Sequence, residues 1–219
     1  VADELAEWLN AGGPKRLRPL KIGWNHLGGD IENSVPSRGL PADADRIFQQ
    51  MAARPSFLMV GTVEPRKGHA ETLAAVERLW ADGAEVNLAI VGKQGWKVED
   101  LADRLRNHPE LGKRLFWLEG ISDEYLSKVY GSCACLIAAS KDEGFGLPLI
   151  EAAKNKLPII ARDIPVFREV AGDHAFYFSG QDPSDIAVAI KAWLVLYRSG
   201  NHPCSDGIRW LTWKESAQQ

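Results

Sequence analysis

The sequence contains few cysteines, almost no excess of charge and no long hydrophobic run. Cysteine occurs only at Cys133, Cys135 and Cys204 among 219 residues. A chain of this length can bury a hydrophobic core without disulfide bonds, which excludes a small disulfide scaffold. We predict that the three cysteines are reduced core thiols. A net charge of -3 gives no electrostatic footprint for nucleic acid, so a nucleic-acid-binding role is excluded as well.

Segments for membrane crossing or secretion are also lacking. No apolar run reaches the roughly 18 residues that span a bilayer, and the N-terminus has no basic segment followed by an apolar stretch and a cleavage site. We therefore expect a cytoplasmic protein. The first residue is not Met and the sequence stops at KESAQQ, a pattern typical of a helix start, so we expect part of a longer protein.

Short apolar runs alternate with helical patterns from about residue 57 onward. Strands are predicted at residues 57–61, 86–92, 114–120, 134–140, 157–162 and 174–178, and helices at 69–81, 97–107, 122–130, 148–154, 166–171 and 183–198. Strict alternation predicts an α/β fold, a Rossmann-like doubly wound parallel sheet. Ligands of such sheets bind beyond the carboxyl ends of the strands, so the loops that leave each strand are the place to look for chemistry.

The first 55 residues have a different composition, with several prolines and glycines and a single predicted strand at residues 20–24. We interpret residues 1–55 as a connector with the remnant of an N-terminal domain. Residues 56–200 form the predicted ligand-binding domain, and residues 201–219 a closing segment.

Two adjacent cations follow the first strand of the alternating region, in the run GTVEPRKGH. Arg66 offers a planar fork of donors and Lys67 a point charge, and together they can converge on a phosphate at a strand end. The alternative is a solvated basic pair at a helix start. Their place at the carboxyl end of a buried strand favours ligand binding.

A glycine-rich turn lies in the run SKDEGFGLPLIEAAK. Gly144 and Gly146 can adopt backbone conformations that other residues avoid, and the amides of the turn, with a helix start behind them, form an anion site. Glu143 lies in the loop and Glu151 in the predicted first turn of the helix. A carboxylate there repels phosphate, so we expect Glu151 to face ligand hydroxyls; its alternative role is to complement the helix dipole.

These motifs resemble one known family. VGTVEPRKGH, VGKQGW and the run from LEGISDEYL to REVAG are similar to the nucleotide-sugar-binding half of family-four retaining glycosyltransferases, which have the GT-B fold. WLTWKESAQQ resembles the last helix of that family, which crosses back to the other domain. EPRKGH with a preceding WNHLGGD is similar to bacterial transferases that build O-antigen, lipopolysaccharide and related polysaccharides, often from GDP-mannose.

The resemblance implies a role for each motif residue. Arg66 and Lys67 hold the diphosphate of the donor, and Glu143 contacts hydroxyls of the transferred sugar, so these three are the predicted catalytic residues. Glu151 accepts hydrogen bonds from the ribose. The other implied donor-binding residues are Gly61, Lys93, Ile121, Gly144, Phe145, Gly146 and Leu147, with Ile121 and Lys93 near the nucleobase and the amides of Phe145, Gly146 and Leu147 near sugar and phosphate.

The resemblance also implies partners. The acceptor, a glycan or a lipid-linked glycan, binds through an N-terminal domain that this sequence lacks, and a lipid-linked acceptor brings the enzyme to the inner membrane surface. No Asp-x-Asp pair of the kind that metal-dependent transferases use is evident, so we predict no metal and no cofactor. His26 and His69 are interpreted as structural or peripheral residues rather than as the family's catalytic histidine.

Three other functions were weighed against this one. A retaining glycosidase also uses two carboxylates, but it needs no cations for a diphosphate. A nicotinamide dehydrogenase needs G-x-G-x-x-G after the first strand, and GTVEPR has no second glycine, which excludes it. A binding module that holds nucleotide and transfers nothing stays open, because this chain is interpreted as half of an enzyme.

Overall fold

The computed structural model describes residues 2–14, 18, 20–29 and 35–218, in two compact units. One unit is Ile31–Arg209, and the other combines Val1–Asp30 with Trp210–Gln219. The helices are α1 (Ala2–Ala11), α2 (Ala44–Ala52), α3 (His69–Ala81), α4 (Glu99–Arg106), α5 (Asp123–Ser132), α6 (Leu147–Lys154), α7 (Pro165–Ala171), α8 (Pro183–Ser199) and α9 (Trp213–Ser216). The strands are β1 (Ser56–Val60), β2 (Asn87–Val91), β3 (Leu115–Leu118), β4 (Cys135–Ala138), β5 (Ile159–Arg162) and β6 (Phe176–Phe178).

The larger unit contains one parallel sheet with the strand order β3-β2-β1-β4-β5-β6. All five strand pairs are parallel. The order reverses between β1 and β4, so the helices that follow these two strands leave toward opposite faces and open a crevice at their carboxyl ends. The predicted doubly wound sheet is therefore confirmed, and its topological switch point lies between the loops after β1 and β4.

Both faces of the sheet are covered, as the nearly continuous apolar strands predicted. Alternate residues of β1 point to opposite sides: Phe57 packs into the core beneath α3 and α8, and Leu58 into the core beneath α2, α5 and α6. Both side chains are fully buried. The sheet is thus a rigid platform for the loops at its carboxyl edge.

Two local predictions were wrong. Residues 20–24 form no strand. Helix α2 lies within the predicted connector and buries Ala44, Ile47 and Met51 against the sheet. The apolar residues of α2 are sparse in sequence, and only their three-to-four spacing marks the face that packs. The interpretation of residues 1–55 as the remnant of another domain stays a prediction.

The cysteines differ in their surroundings. All three are free, as predicted, but only Cys135 is fully buried, Cys133 is half-buried and Cys204 is exposed. The prediction of a core thiol is therefore wrong for Cys204. Burial raises the pKa of Cys133 to about 12, so its thiol stays protonated at neutral pH.

The smaller unit is tied together by backbone contacts between its two segments. Gly28 forms a parallel bridge with Leu211, and the amide of Gly29 donates to the Leu211 carbonyl at 2.8 Å. A capping box of Thr212 and Glu215 starts α9, which confirms a helix in the closing segment. Among the described residues, no helix combines the length and the apolar character that crossing a membrane requires.

Candidate active site

The loops that follow β1 and β4 meet at the switch point. The first forms a short 3-10 turn, Pro65–Lys67, which ends at Gly68 in the left-handed conformation with a φ of 75°. The second runs from Ala139 to the start of α6. The amide of Lys141 donates to the carbonyl of Arg66 at 2.8 Å, so a backbone hydrogen bond joins the two loops.

Glu143 is the centre of an ionic cluster between these loops. Its Oε1 accepts hydrogen bonds from Nζ of Lys67 and, at 2.8 Å, from Oγ of Ser140. Its Oε2 accepts from Nη1 of Arg66 at 3.0 Å. The side chain of Glu143 is only 10% exposed, and that of Lys67 15%. The structure therefore brings together the three residues that were predicted to be catalytic.

The cations hold Glu143 in its charged form. Burial alone raises the pKa of a carboxyl group, but the hydrogen bonds from Lys67, Ser140 and Arg66 outweigh burial and lower the pKa of Glu143 below its ordinary value. At neutral pH Glu143 is thus an ionised acceptor. It can accept hydrogen bonds from hydroxyl groups, but it has no proton to donate.

Arg66 and Lys67 occupy different environments within the cluster. The side chain of Arg66 is 45% exposed and also contacts the carbonyl of Asp142 at 3.1 Å and Glu64 at 3.2 Å. Lys67 is largely enclosed, and a Cβ added to Gly61 would lie 3.9 Å from its amine. Gly61 has a φ of 133°, a conformation that side chains avoid, which favours glycine there, and its place in donor binding stays a prediction.

The glycine-rich turn is only partly as expected. Gly146 has a φ of 91° and serves as the N-cap of α6, and a Cβ added to it would lie 3.0 Å from the ring of Phe167. Glycine is required at this position. Gly144 is not in the left-handed region and has open space around it, so no such requirement exists there. Phe145 completes the turn, and Leu147 begins α6 directly behind it.

Glu151 is the fifth residue of α6, not a first-turn residue. The prediction was off because Pro148 marked the expected start, whereas the helix begins one residue earlier. One oxygen of Glu151 accepts a hydrogen bond of 2.6 Å from the hydroxyl of Tyr130 on α5. Burial, and then the charge of Glu151, raises the pKa of Tyr130 well above its ordinary value, so this phenol always donates.

The remaining predicted residues lie at the same edge of the sheet. Lys93 follows β2, and its carbonyl accepts from the amide of Val63 at 2.9 Å. Its side chain extends toward Gly120, next to Ile121, which follows β3 and packs against the sheet. The loops after β2 and β3 therefore touch each other, one strand away from the ionic cluster.

The two histidines that were interpreted as structural or peripheral lie in different units. His69 begins α3, is 2% exposed, and lies beside the ionic cluster. Burial, reinforced by the charge of Lys67, lowers the pKa of His69 to about 4, so its ring is neutral at pH 7. His26 belongs to the smaller unit, where its carbonyl accepts from Ser216.

Within residues 2–14, 18, 20–29 and 35–218, no group of three or more His, Cys, Asp or Glu side chains could hold a metal ion. The sequence does contain one Asp-x-Asp run, Asp43 and Asp45, at the start of α2. Asp43 pairs with Arg46 at 3.0 Å. At the switch point, the chain's own positive charge is carried by Arg66 and Lys67.

Two members of the site were not assigned from the sequence. Ser140 is 5% exposed and donates to Glu143, and Tyr130 is 3% exposed and donates to Glu151. Each of the two glutamates thus has a neutral hydroxyl donor. Ser140 could have been found, because it lies three residues before Glu143 in the same loop. Tyr130 carries no such signal, because its contact depends on how α5 packs against α6.

Comparison with known proteins agrees with this geometry. The family described as Glycosyl transferases group 1 matches residues 43–202. The serotype-specific mannosyltransferase WbdA of Escherichia coli is 56% identical over 220 residues, which cover 100% of this chain and 27% of that protein. The O-antigen chain mannosyltransferase RfbU of Salmonella typhimurium (strain LT2) is 33% identical over 136 residues, 62% of this chain and 37% of that protein.

The fold has counterparts among solved structures. Sucrose-phosphate synthase from Thermosynechococcus elongatus superposes with a TM-score of 0.66 at 26% identity, over 99% of this chain and 53% of that one. This chain thus spans about a quarter of the length of WbdA and about half of the synthase. Because the family match covers well over half of the chain, the resemblance seen in its motifs is confirmed: the chain belongs to the glycosyl transferase group 1 family, and its sheet is the Rossmann-like half of a GT-B fold.

Proposed function

We propose that the protein containing this chain transfers mannose from GDP-mannose to a growing polysaccharide or lipid-linked glycan, with retention of configuration. The observation that carries this proposal is the cluster of Arg66, Lys67 and Glu143 at the switch point of the sheet. The relatives named as a serotype-specific mannosyltransferase and as an O-antigen chain mannosyltransferase support the choice of sugar.

The reaction breaks the bond between the sugar and a diphosphate. Negative charge grows on the leaving group while positive charge grows on the sugar. Lys67 and Arg66 stabilise that leaving group as fixed cations, and the amides of Phe145, Gly146 and Leu147 at the start of α6 add donors. Because these groups are held in place before the donor binds, little reorganisation is needed in the transition state.

Glu143 has two successive partners in this mechanism. Before donor binding it accepts hydrogen bonds from Lys67, Arg66 and Ser140. The diphosphate then competes with Glu143 for the two cations. Glu143 instead accepts hydrogen bonds from hydroxyls of the transferred sugar. Its lowered pKa supports this role, since an ionised carboxylate accepts hydrogen bonds and also favours positive charge on the sugar.

Glu151 has a separate role at the nucleoside. One of its oxygens accepts from Tyr130, which fixes the carboxylate, and we assign to it the ribose hydroxyls. Lys93 and Ile121, in the touching loops after β2 and β3, flank the base. Gly61 leaves room beside Lys67 for the diphosphate.

The cations replace a metal in this proposal. Lys67 and Arg66 supply the charge that a divalent ion supplies elsewhere, so transfer proceeds without metal or cofactor. The acceptor binds to a part of the longer protein beyond this chain, and a lipid-linked acceptor implies peripheral contact with the inner membrane. The chain by itself is then a donor-binding module that transfers nothing.

A retaining glycosidase is less favoured by the site. Such an enzyme needs a carboxyl group that stays protonated near neutral pH to act as a general acid. Glu143 is held ionised by two cations instead. No feature of the described residues favours glycoside hydrolysis over transfer.

Calorimetric titration of the chain with GDP, UDP and ADP tests the donor site. We expect GDP to bind most tightly, with the same affinity in buffer containing EDTA. Absence of binding for all three at about millimolar concentration would overturn the donor-site assignment. Tightest binding of UDP or ADP would retain the site and contradict GDP-mannose.

A further inference from the structure

Arg162 is a buried arginine next to the switch point. It ends β5, the strand adjacent to β4, and is only 4% exposed. Its guanidinium lies 5.0 Å from the centre of the Phe178 ring on β6. Arginine side chains are almost never this deeply buried unless they are paired with another group.

The hydrogen bond of Arg162 goes to the backbone of the β4 loop. Its Nε donates to the carbonyl of Ala139 at 3.1 Å, within the protein interior. Gly68, in the other loop, is seated against the same carbonyl: a Cβ added to it would lie 2.4 Å from the Ala139 oxygen. This carbonyl is therefore one of the points at which the two loops of the site touch, besides the hydrogen bond from the Lys141 amide to the Arg66 carbonyl.

The residues next to that contact are those of the ionic cluster. Ala139 precedes Ser140, and Gly68 follows Lys67. Ser140 and Lys67 both donate to Oε1 of Glu143. A rotation of the Ala139 peptide would thus move both donors relative to the carboxylate that they share.

The rest of the guanidinium makes no competing hydrogen bond. Nη1 and Nη2 of Arg162 have no hydrogen-bond partner among the described residues. Two carboxylates act on the guanidinium by their charge. Glu71 pairs with Lys141 at 2.6 Å, and Asp185 belongs to the capping box of α8. The single hydrogen bond to Ala139 is therefore the specific contact that replacement of Arg162 would remove.

We propose that Arg162 is a positioning residue of the donor site: its hydrogen bond to the Ala139 carbonyl fixes the loop of Lys67 against the loop of Glu143. The proposal rests on the proposed function for its ligand. Arg162 touches neither donor nor acceptor and acts only through the backbone of the β4 loop.

Two variants of equal length separate the hydrogen bond from packing and charge. In Arg162→Gln the amide nitrogen takes the place of Nε, so the donor is kept and the charge is lost. In Arg162→Met a methyl group takes that place, and both are lost. Methionine also avoids the burial of an unpaired charge, so the variant is expected to fold. Should it not fold, Arg162→Lys replaces it, because its amine lies beyond the Nε position.

The control is Ser56→Ala, which removes a buried hydroxyl that donates to Met51 at the opposite end of β1. Thermal unfolding of each variant measures stability, calorimetry measures GDP binding, and hydrogen exchange measures protection of the Lys141 amide. We expect Arg162→Met to bind GDP at least about tenfold more weakly, and Arg162→Gln to stay within about threefold of the wild type. Ser56→Ala should bind as the wild type does.

Each outcome bears on the proposal. Wild-type affinity in Arg162→Met would overturn it. Equal weakening in Arg162→Gln and Arg162→Met would also overturn it, because the donor would not be the cause. If the wild type binds no nucleoside diphosphate, the proposed function fails, and hydrogen exchange still decides about Arg162: faster exchange of the Lys141 amide in the Met variant alone supports loop fixation, and unchanged exchange overturns it.

Discussion

The two edges of the sheet solve the problem of buried polar groups in different ways. At the amino edge, Ser56 donates to the Met51 carbonyl at 2.7 Å, and Asn87 donates to Ser56 and to the Gln50 carbonyl at 3.0 Å each. These groups are neutral, and they hydrogen-bond to the backbone or to each other. At the carboxyl edge, Lys67 and Arg66 share the carboxylate of Glu143.

This contrast indicates which edge can bind a ligand. A neutral hydrogen bond to the backbone has no reason to exchange its partner, because an incoming anion gains nothing from it. Two cations that share one carboxylate can direct part of their electrostatic interaction to a second anion. This exchange costs little free energy. We therefore assign a structural role to the amino edge, and we propose that the carboxyl edge also binds the ligand.

Lys67→Ala, at the carboxyl edge, should reduce function more than any other substitution described below. In the longer protein, we expect turnover of GDP-mannose to fall by about 100-fold, or about 3 kcal/mol of transition-state stabilisation, because the enclosed cation at the leaving group is lost. Steady-state kinetics measure the change, with Ser56→Ala of the amino edge as the control that keeps wild-type turnover. A loss below about threefold in Lys67→Ala would contradict the assignment.

Acidification should destabilise the carboxyl edge through His69. The pKa of His69 is lowered from 6.5 to about 4 in the folded chain, so only the unfolded chain takes up this proton as the pH falls through that window. His69 therefore leaves the free energy of unfolding unchanged above pH 6.5. As the pH falls toward 4, protonation of the unfolded chain lowers this free energy by about 3 kcal/mol. Denaturant unfolding from pH 7 to 4 measures the loss.

His69→Gln is the matched variant for that measurement. It should lack the pH dependence between 6.5 and 4, whereas Ser56→Ala should retain it. The contribution of Glu143 does not interfere above pH 4.5, because its pKa is lowered and the stabilisation is lost only as the pH falls below that ordinary value. Equal pH dependence in His69→Gln and the wild type would refute the burial argument.

The glycine-rich turn offers a comparison within the carboxyl edge. Gly146→Ala must adopt a φ of 91° and crowd Phe167, which we expect to cost about 1–3 kcal/mol of unfolding free energy. Gly144→Ala has open space and should change stability by less than about 0.5 kcal/mol. Urea denaturation of both variants measures the difference. Equal stabilities would show that the conformation of Gly146 is not strained for alanine.

Tyr130→Phe should have the smallest effect on the site. Loss of the hydrogen bond to Glu151 leaves that carboxylate less well fixed, and we expect GDP to bind about threefold to tenfold more weakly. The penalty should disappear with 2′,3′-dideoxy-GDP, which lacks the ribose hydroxyls assigned to Glu151. Calorimetry with both nucleotides checks this, and an equal penalty for both would remove Glu151 from the ribose.

The sequence was informative where one element decides the structure by itself. Helix α3 was predicted at its observed bounds because Leu73, Val76 and Trp80 repeat at helical spacing. All six strands were found as apolar runs. The strand predicted at residues 20–24 failed because strand propensity needs a neighbouring strand, and no partner strand forms there among the described residues.

The candidate site could be predicted only up to its backbone. Arg66, Lys67 and Glu143 follow strand ends in the sequence, and a doubly wound sheet brings such loops together. The side-chain contacts of the site join residues that are 21 or more positions apart in the sequence. They are the ion pairs of these three residues, the hydrogen bond from Tyr130 to Glu151 and the hydrogen bond from Arg162 to Ala139. Such contacts depend on how neighbouring elements pack, which no local pattern contains.

The diphosphate site can be tested by comparing GDP with guanosine, because the two ligands differ only in the diphosphate. Calorimetric titration of the wild-type chain should give much tighter binding of GDP, and Lys67→Ala should weaken GDP by at least about tenfold while it leaves guanosine unchanged. Equal binding of GDP and guanosine by the wild type would contradict a diphosphate site at the switch point, as would equal losses for both ligands in Lys67→Ala.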